Sequence, residues 1–456
     1  MLFQSQAFVL LFLPATLAGF WLLSRHEAAR QWLLIAASLV FYAWWDIRFL
    51  PLLIGHAVIT WGLAILYRRF RHAGLCWLAV ILNLSSLATF KYLDFLLSNF
   101  EALTNVVLPR DEIILPIGIS FFTFQLISYM IDLKRGDAPI YSFRTFLLFV
   151  TFFPQLIAGP IVRHNQIIDQ FRLDPFRPGL HHRIAAGLTL FTLGFAKKIL
   201  LADKLAERVD PIFLKAQTAA VTFGEAWTGA LGFSFQLFLD FSAYSEMAIG
   251  LGLLFGLVLP ENFNRPYLST SLRAFWRRWH ITLSLFLRDY VYIPLGGSRS
   301  GLATYVIATV ATMGLCGLWH GAGWTYIAWG LMHGAGLLVC HFWRQAGLAL
   351  PAFAGWLLTM LFVMIGWVLF RAVDFQTAWT ILSAAAGANG WTGGLGGEAL
   401  LGLAAIASLA LPSTHAILEK TLIPSRLVAC AAAILLAVCI LEVGNAPPAS
   451  FIYFQF

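Results

Sequence analysis

The sequence predicts an all-α protein that crosses a membrane many times, and three observations carry that prediction. Hydrophobic residues make up 60% of the 456 residues and charged residues only 11%, against roughly 25% charged in an ordinary soluble domain. The mean hydropathy is +0.78. The apolar residues also come in runs long enough to span a hydrocarbon core, about 20 residues per helix, separated by short polar joints. By that rule the chain holds about eleven to thirteen spans in a single membrane-embedded domain over 1–456. The runs are too long and continuous for the alternating pattern of an outer-membrane barrel.

Composition also excludes several classes. A net charge of +8 and a pI near 9.4 would point to nucleic acid in a soluble protein. Here the basic residues lie in the joints, as in cytoplasmic loops of membrane proteins, so the lipid bilayer is the expected partner and nucleic acid is not. The five cysteines, Cys76, Cys316, Cys340, Cys430 and Cys439, sit in apolar surroundings without ligand spacing. They read as small buried hydrophobes, giving neither a disulfide framework nor a metal site. The absence of phosphate-loop, dinucleotide, nucleophile-elbow and zinc-protease motifs argues against an ATP-driven pump, a nicotinamide enzyme, an α/β-hydrolase and a metalloprotease.

Along the chain, spans are expected near 8–24, 31–50, 51–68 and 74–98. No basic residue precedes the first run, which reads as a retained span and not a cleaved signal. The basic joint from Tyr67 to His72 belongs on the cytoplasmic side, which puts the N-terminus outside. Tyr42, Trp44 and Trp45 beside Asp46 and Arg48 form an interfacial belt. A run opening at Leu115, Pro116 and Ile117 tolerates its proline because the missing N–H falls at a helix start. The apolar stretch from Phe146 to Pro160 contains Pro154 and Gln155 and reads as either a re-entrant element or a Pro-kinked span. The segment from Arg163 to Arg183 is too polar for lipid and is assigned to the cytoplasmic face. A span near 184–202 ends at Lys197 and Lys198, which can snorkel.

In the apolar stretch that follows, Gln236, Asp240 and Tyr244 lie four residues apart on one helical face. They read as lining a cavity or supporting a catalytic group or, equally, as a purely structural polar contact; the family resemblance described below makes that cavity a tunnel. Next, aromatic residues alternate with arginines from Arg265 to Arg299, and Phe275, Trp279, Phe286 and Tyr290 recur at spacings of four and seven. That pattern predicts an amphipathic helix at the interface or packed beneath the bundle. Later spans are expected near 302–318, 323–342, 353–371, 398–417 and 426–443, the last leaving the C-terminus outside.

The candidate chemistry centres on two Trp-His pairs. His320 ends an apolar run and precedes Gly321, Ala322 and Gly323, where glycine permits close approach of a backbone or a ligand. A histidine inside a membrane is a functional candidate by default, its alternative being a histidine bonded to a nearby carbonyl. A neutral imidazole, with a reference pKa of about 6.5, suits removal of a proton from a hydroxyl attacking a thioester. His333, thirteen residues on, falls on a different helical face and reads as a packing or supporting residue. His280, among arginines, is a candidate for orienting an acyl donor. Arg273, Arg277 and Arg278, with Trp279, are candidate contacts for nucleotide phosphates, the alternative being anchoring to anionic lipid.

The run from Arg265-Pro266-Tyr267-Leu268 through Phe275-Trp276-Arg277-Arg278-Trp279-His280 to Arg288-Asp289-Tyr290 and Pro294-Leu295-Gly296-Gly297 resembles the membrane-bound O-acyltransferase family, most closely its alginate O-acetyltransferase-like branch. Supporting stretches are Leu115 to Phe121, Phe153 to Pro160, Gly194 to Lys198 and Phe451 to Phe456, so the resemblance spans nearly the whole chain. It implies a funnel-shaped bundle with re-entrant and interfacial helices around a central tunnel, with His320 as the catalytic histidine and His280 as its partner. It further implies that an acetyl group passes, with acetyl-CoA as donor substrate and no bound cofactor, to an exported polysaccharide. A polysaccharide synthesis and export complex and a periplasmic SGNH-type acetyltransferase are the implied partners, and the bacterial inner membrane the implied location. D-alanyl transfer to teichoic acid, a transporter or flippase, and a non-catalytic scaffold are the competing readings. The absence of two repeated halves with paired broken helices argues against the transporter.

Overall fold

The computed structural model describes residues 1–109, 113–413, 416–417, 425–445 and 451–452, and among them every regular element is helical. Of the terminal stretch cited above, 453–456 lie outside these residues. Among the described residues, seven helices are long and apolar enough to cross a membrane: Ile47–Phe70, Gly74–Thr104, Leu180–Ala216, Phe223–Leu254, Leu302–His320, Ala352–Arg371 and Arg426–Gly444. Phe8–Leu22 and Glu398–Leu409 are apolar but shorter. Apolar runs of suitable composition thus outnumber uninterrupted long helices, because some runs break. The chain falls into two compact units, interleaved in sequence: Met1–Leu193 with Tyr244–Pro260 and Ile423–Leu435, and Gly194–Ala243 with Glu261–Leu422 and Leu436–Phe456.

The first unit is built around an aromatic core. Phe12, Phe41 and Phe153 meet with ring centroids 5.3–5.8 Å apart, within the range where aromatic pairs add to simple area burial. Helix Phe143–Thr151 stops at Phe152, and a single turn, Phe153–Leu156, restarts at Pro154. The break is housed entirely in protein, with residues 152–158 all buried, as irregular backbone at membrane depth requires. Trp44 is exposed just past helix Glu27–Ala43, and Asp46 accepts a 2.9 Å hydrogen bond from the Arg48 backbone N–H, starting the next turn. Gly74–Thr104 turns Leu78, Ile81 and Leu82 outward, the apolar face a lipid-contacting helix presents.

The second unit is organised by a helical hairpin, Leu302–His320 and Trp324–Gln345. Its two members approach through glycine. A Cβ on Gly317 would collide with the carbonyl oxygen of Tyr326, and one on Gly330 with that of Met313. Small residues at such a crossing let backbones meet, which drives helix association where lipid competes equally well for apolar side chains. The three-residue joint 321–323 keeps the hairpin tight, and the Tyr326 ring occupies the space above Gly321.

The amphipathic segment departs from the sequence expectation of one helix. It breaks into Leu272–Trp276, capped by Ser271 Oγ accepting from the Ala274 N–H at 3.2 Å, and Ile281–Leu287, with a π-helical turn Arg288–Tyr292 following. Phe275, Trp279, Phe286 and Tyr290 are all buried. The interruption is His280, whose backbone adopts φ 42°, ψ 55°, a left-handed conformation uncommon outside glycine. That single residue swings Trp279 and His280 inward instead of letting the helix continue along a surface.

Candidate active site

The site lies within the second unit, where the hairpin delivers His320 and the broken segment delivers His280. The two imidazole centroids are 6.4 Å apart, and both side chains are buried. Aromatic rings enclose them. Trp319, Trp329 and Phe370 stand edge to face with His320 at 4.9, 5.2 and 5.3 Å, and Phe241 stands edge to face with His280 at 4.8 Å. Such an enclosure lowers the local dielectric and strengthens any charge interaction that arises in it.

His280 is oriented by a residue the sequence reading overlooked. Asn262 Oδ1 accepts from the Thr282 backbone N–H at 3.3 Å, which identifies that atom as the oxygen. The same oxygen accepts from Thr282 Oγ1 at 2.9 Å and meets His280 Nδ1 at 3.1 Å. Because an amide oxygen only accepts, Nδ1 carries the proton and Nε2 carries the lone pair. Nε2 is buried and makes no hydrogen bond among the described residues. The Ile281 backbone N–H also donates to the Asn262 carbonyl at 2.9 Å, tying the left-handed turn to the segment that precedes it. Burial holds the His280 imidazole far below its usual 6.5, to about 3, so the ring is neutral at any physiological pH. Asn262 stands eighteen positions upstream with no periodicity linking it to His280. The Glu261-Asn262-Phe263-Asn264 polar cluster was the available signal.

The remaining candidates divide. A cavity of about 930 Å³ opens in the same unit, lined by Arg273, Trp276, Thr312, His341 and Arg344 among mostly apolar neighbours, a size typical of small-molecule sites. Arg273 is the one of the three candidate arginines at this cavity. Arg277 is exposed and Arg278 half-buried, and neither lines that cavity. No carboxylate lies within ion-pair distance of these three arginines among the described residues. Trp279 is buried between Phe275, 5.5 Å away and stacked, and Trp367 at 4.8 Å, and does not line that cavity. His280 likewise keeps company with His320 and not with the arginine-lined cavity.

Gln236, Asp240 and Tyr244 do share one continuous helix, Phe223–Leu254, and all are buried. For Asp240 the structural alternative holds. Lys198 Nζ sits 3.0 Å from Asp240 and 2.8 Å from Asp203, and the Ile452 backbone N–H donates to Asp240 Oδ2 at 3.0 Å. Lys198, expected to snorkel, is instead buried in a π-helical turn, Lys197–Ala202, and neutralised there. Tyr244 stacks on Phe3 at 4.7 Å. His333 matches its expected packing position: it accepts from Trp276 Nε1–H through Nδ1 at 3.2 Å inside a cluster of Phe275, Trp329 and Phe362.

Residues 61–373 match the membrane-bound O-acyltransferase family. The chain is 40% identical over 434 residues to the peptidoglycan O-acetyltransferase of Helicobacter pylori, covering 86% of this chain and 80% of that protein. It is 44% identical over 398 residues to the probable alginate O-acetylase of Pseudomonas aeruginosa, covering 84% of this chain and 74% of that protein. The teichoic acid D-alanyltransferase of Streptococcus thermophilus is 30% identical over 238 residues, covering 50% of this chain and 57% of that protein. The chain, with seven long apolar helices among its described residues, belongs to the membrane-bound O-acyltransferase family and is a multi-pass membrane enzyme of acyl transfer.

Proposed function

We propose that this enzyme moves an acetyl group from cytoplasmic acetyl-CoA to hydroxyl groups of an exported polysaccharide in the bacterial inner membrane, directly or through a periplasmic SGNH-type partner attached to a synthesis and export complex. The observation that carries the proposal is the paired, aromatic-enclosed His280 and His320 in a chain similar over most of its length to two O-acetyltransferases of cell-envelope polymers. His320 is the general base. It takes the proton of the attacking hydroxyl as the oxygen bonds to the thioester carbon, and returns that proton to the departing thiolate. His280, neutral and anchored by Asn262, presents its Nε2 lone pair to align the hydroxyl beside His320. The arginine-lined cavity is the donor site, with Arg273 and Arg344 at the phosphates and the apolar wall against the thioester arm.

Replacement of His320 by Ala tests the assignment. In lipid nanodiscs, thiol release from acetyl-CoA in the presence of a polysaccharide acceptor should fall by about 10³-fold, within the range that a lost acid-base group produces. Undiminished transfer by a correctly inserted H320A protein removes His320 as the base. The similarity to a teichoic acid D-alanyltransferase supports a second reading, D-alanyl transfer from a carrier protein. Turnover of a D-alanyl thioester in preference to acetyl-CoA would select it.

A further inference from the structure

The polar contact at Asp240 holds more than a lysine. The Lys198 ammonium lies 2.8 Å from Asp203 and 3.0 Å from Asp240. An ionisable group at membrane depth is costly, and Asp203 already pairs that ammonium, so a second carboxylate beside it calls for a reason. Asp240 turns Oδ1 to Lys198 and Oδ2 to the backbone N–H of Ile452, 3.0 Å away and 212 positions downstream. The partner is main chain, so the bond fixes the course of a segment and not a side-chain rotamer.

That segment reaches the histidine pair through two ring contacts. Phe451 and Ile452 are both buried. The Phe451 ring meets Phe241 at 5.9 Å and 61°, and Phe241 stands edge to face with His280 at 4.8 Å and 88°. Phe241 directly follows Asp240, so one turn of helix Phe223–Leu254 carries both the anchor and the ring it serves. Phe263 meets Phe241 as well, at 4.9 Å and 72°. Asn262 holds His280 at Nδ1, and a single hydrogen bond leaves the imidazole able to swing about it. Packing against the ring then decides where Nε2 points, the supporting role that second contacts play at a functional site.

We propose that Asp240 is a positioning residue for the transfer: by holding the Ile452 N–H it seats Phe451 against Phe241, and so fixes the ring on which His280 packs. The inference rests on the acyl-transfer reading above. Asp240 touches no reacting atom in this scheme. It acts through residues 451 and 452, and its contact with Lys198 keeps the carboxylate charged and in place to accept from the main chain.

The test uses the full-length protein in lipid nanodiscs. Ile452→Pro deletes the N–H and leaves the Asp240 and Lys198 side chains untouched; Ile452 has 3₁₀-helical backbone, whose φ proline shares. Ile452→Val keeps the N–H and serves as control. Thiol release is measured with acetyl-CoA and, in parallel, with a D-alanyl thioester, and diethyl pyrocarbonate modification of His280 is followed by mass spectrometry as a readout that needs no turnover. I452P should lower kcat by about tenfold, the effect of a misoriented catalytic group, with KM for the thioester changed less than about twofold. It should also raise the rate of His280 modification, while I452V matches wild type in both. D240A should lower kcat at least as far, and adding I452P to it should change kcat less than about twofold, because both remove the same contact. A folded I452P with kcat within about threefold of wild type overturns the proposal, as do additive effects of D240A and I452P or a loss confined to the thermal midpoint. If the wild type consumes neither thioester, the acyl-transfer reading fails on its own, and the modification rates decide the docking: equal rates in I452P and wild type overturn it.

Discussion

Two buried histidines in this chain show how surroundings divide one side chain between two uses. His164, in the first unit, has a polar group at each ring nitrogen: Tyr141 Oη hydrogen-bonds Nδ1 at 2.9 Å, and the Asp132 carboxylate lies 3.3 Å from Nε2 without a hydrogen bond. A carboxylate faces its second nitrogen, where a substrate hydroxyl would have to sit. His280, in the second unit, is held on one side only, by Asn262, and its other nitrogen faces rings. Anchoring at one nitrogen fixes a tautomer and an orientation, while leaving the second nitrogen free to exchange a proton or accept a hydrogen bond. What faces the second nitrogen, a carboxylate at His164 and aromatic rings at His280, sets the two buried imidazoles apart, and burial alone does not.

That contrast can be broken experimentally. The largest effect is expected for His280→Ala, which removes the free nitrogen and should lower the transfer rate by about 10²-fold. Asn262→Ala, which releases the anchor and keeps the imidazole, should cost about tenfold in kcat, since misoriented catalytic groups lose a substantial part of their effect. If N262A matches wild type, the anchor is packing and the contrast fails. For His164, Tyr141→Phe should leave the rate within about twofold and cost roughly 1 kcal/mol of stability, the usual worth of one hydrogen bond. A large rate loss in Y141F would mean that this hydrogen bond also serves the reaction.

The smallest expected effect is a pH slope. Folded His280 takes up a proton only near pH 3, whereas in the unfolded chain it does so near 6.5. The unfolded state therefore binds more protons between those values, and stability falls as pH drops below about 6.5, by up to about 1.4 kcal/mol per unit for this one group. Thermal midpoints of wild type and H280A between pH 4 and 7 should diverge in slope, with H280A the flatter. Parallel slopes would mean that His280 takes up its proton over the same pH range in the folded and unfolded chains.

Much of the architecture was legible because hydropathy reports the solvent. The spans near 51–68, 302–318 and 353–371 correspond closely to Ile47–Phe70, Leu302–His320 and Ala352–Arg371. Legibility ended where an aromatic or a charge had two physically equivalent fates. Trp279 beside arginines reads as a ligand contact at an interface, yet one left-handed residue turns it into the core. Lys198 at the end of an apolar run reads as a snorkelling lysine, yet Asp203 and Asp240, five and forty-two positions away, neutralise it inside the protein. The pairing of His280 with Asn262 and of His333 with Trp276 depends on non-local contacts, for which single-sequence periodicity carries no signal.

The left-handed backbone at His280 has an implication for engineering. A non-glycine residue in that region holds about 1–3 kcal/mol of strain, and asparagine tolerates it better than most residues. His280→Asn is therefore expected to relieve strain and the acid-sensitive burial together, and so to give a protein that melts at a higher temperature and transfers little or no acyl group. Directed evolution scored on thermal tolerance alone would drift toward that substitution. Any campaign to harden this enzyme should hold position 280 fixed and seek its gains in the lipid-facing helices.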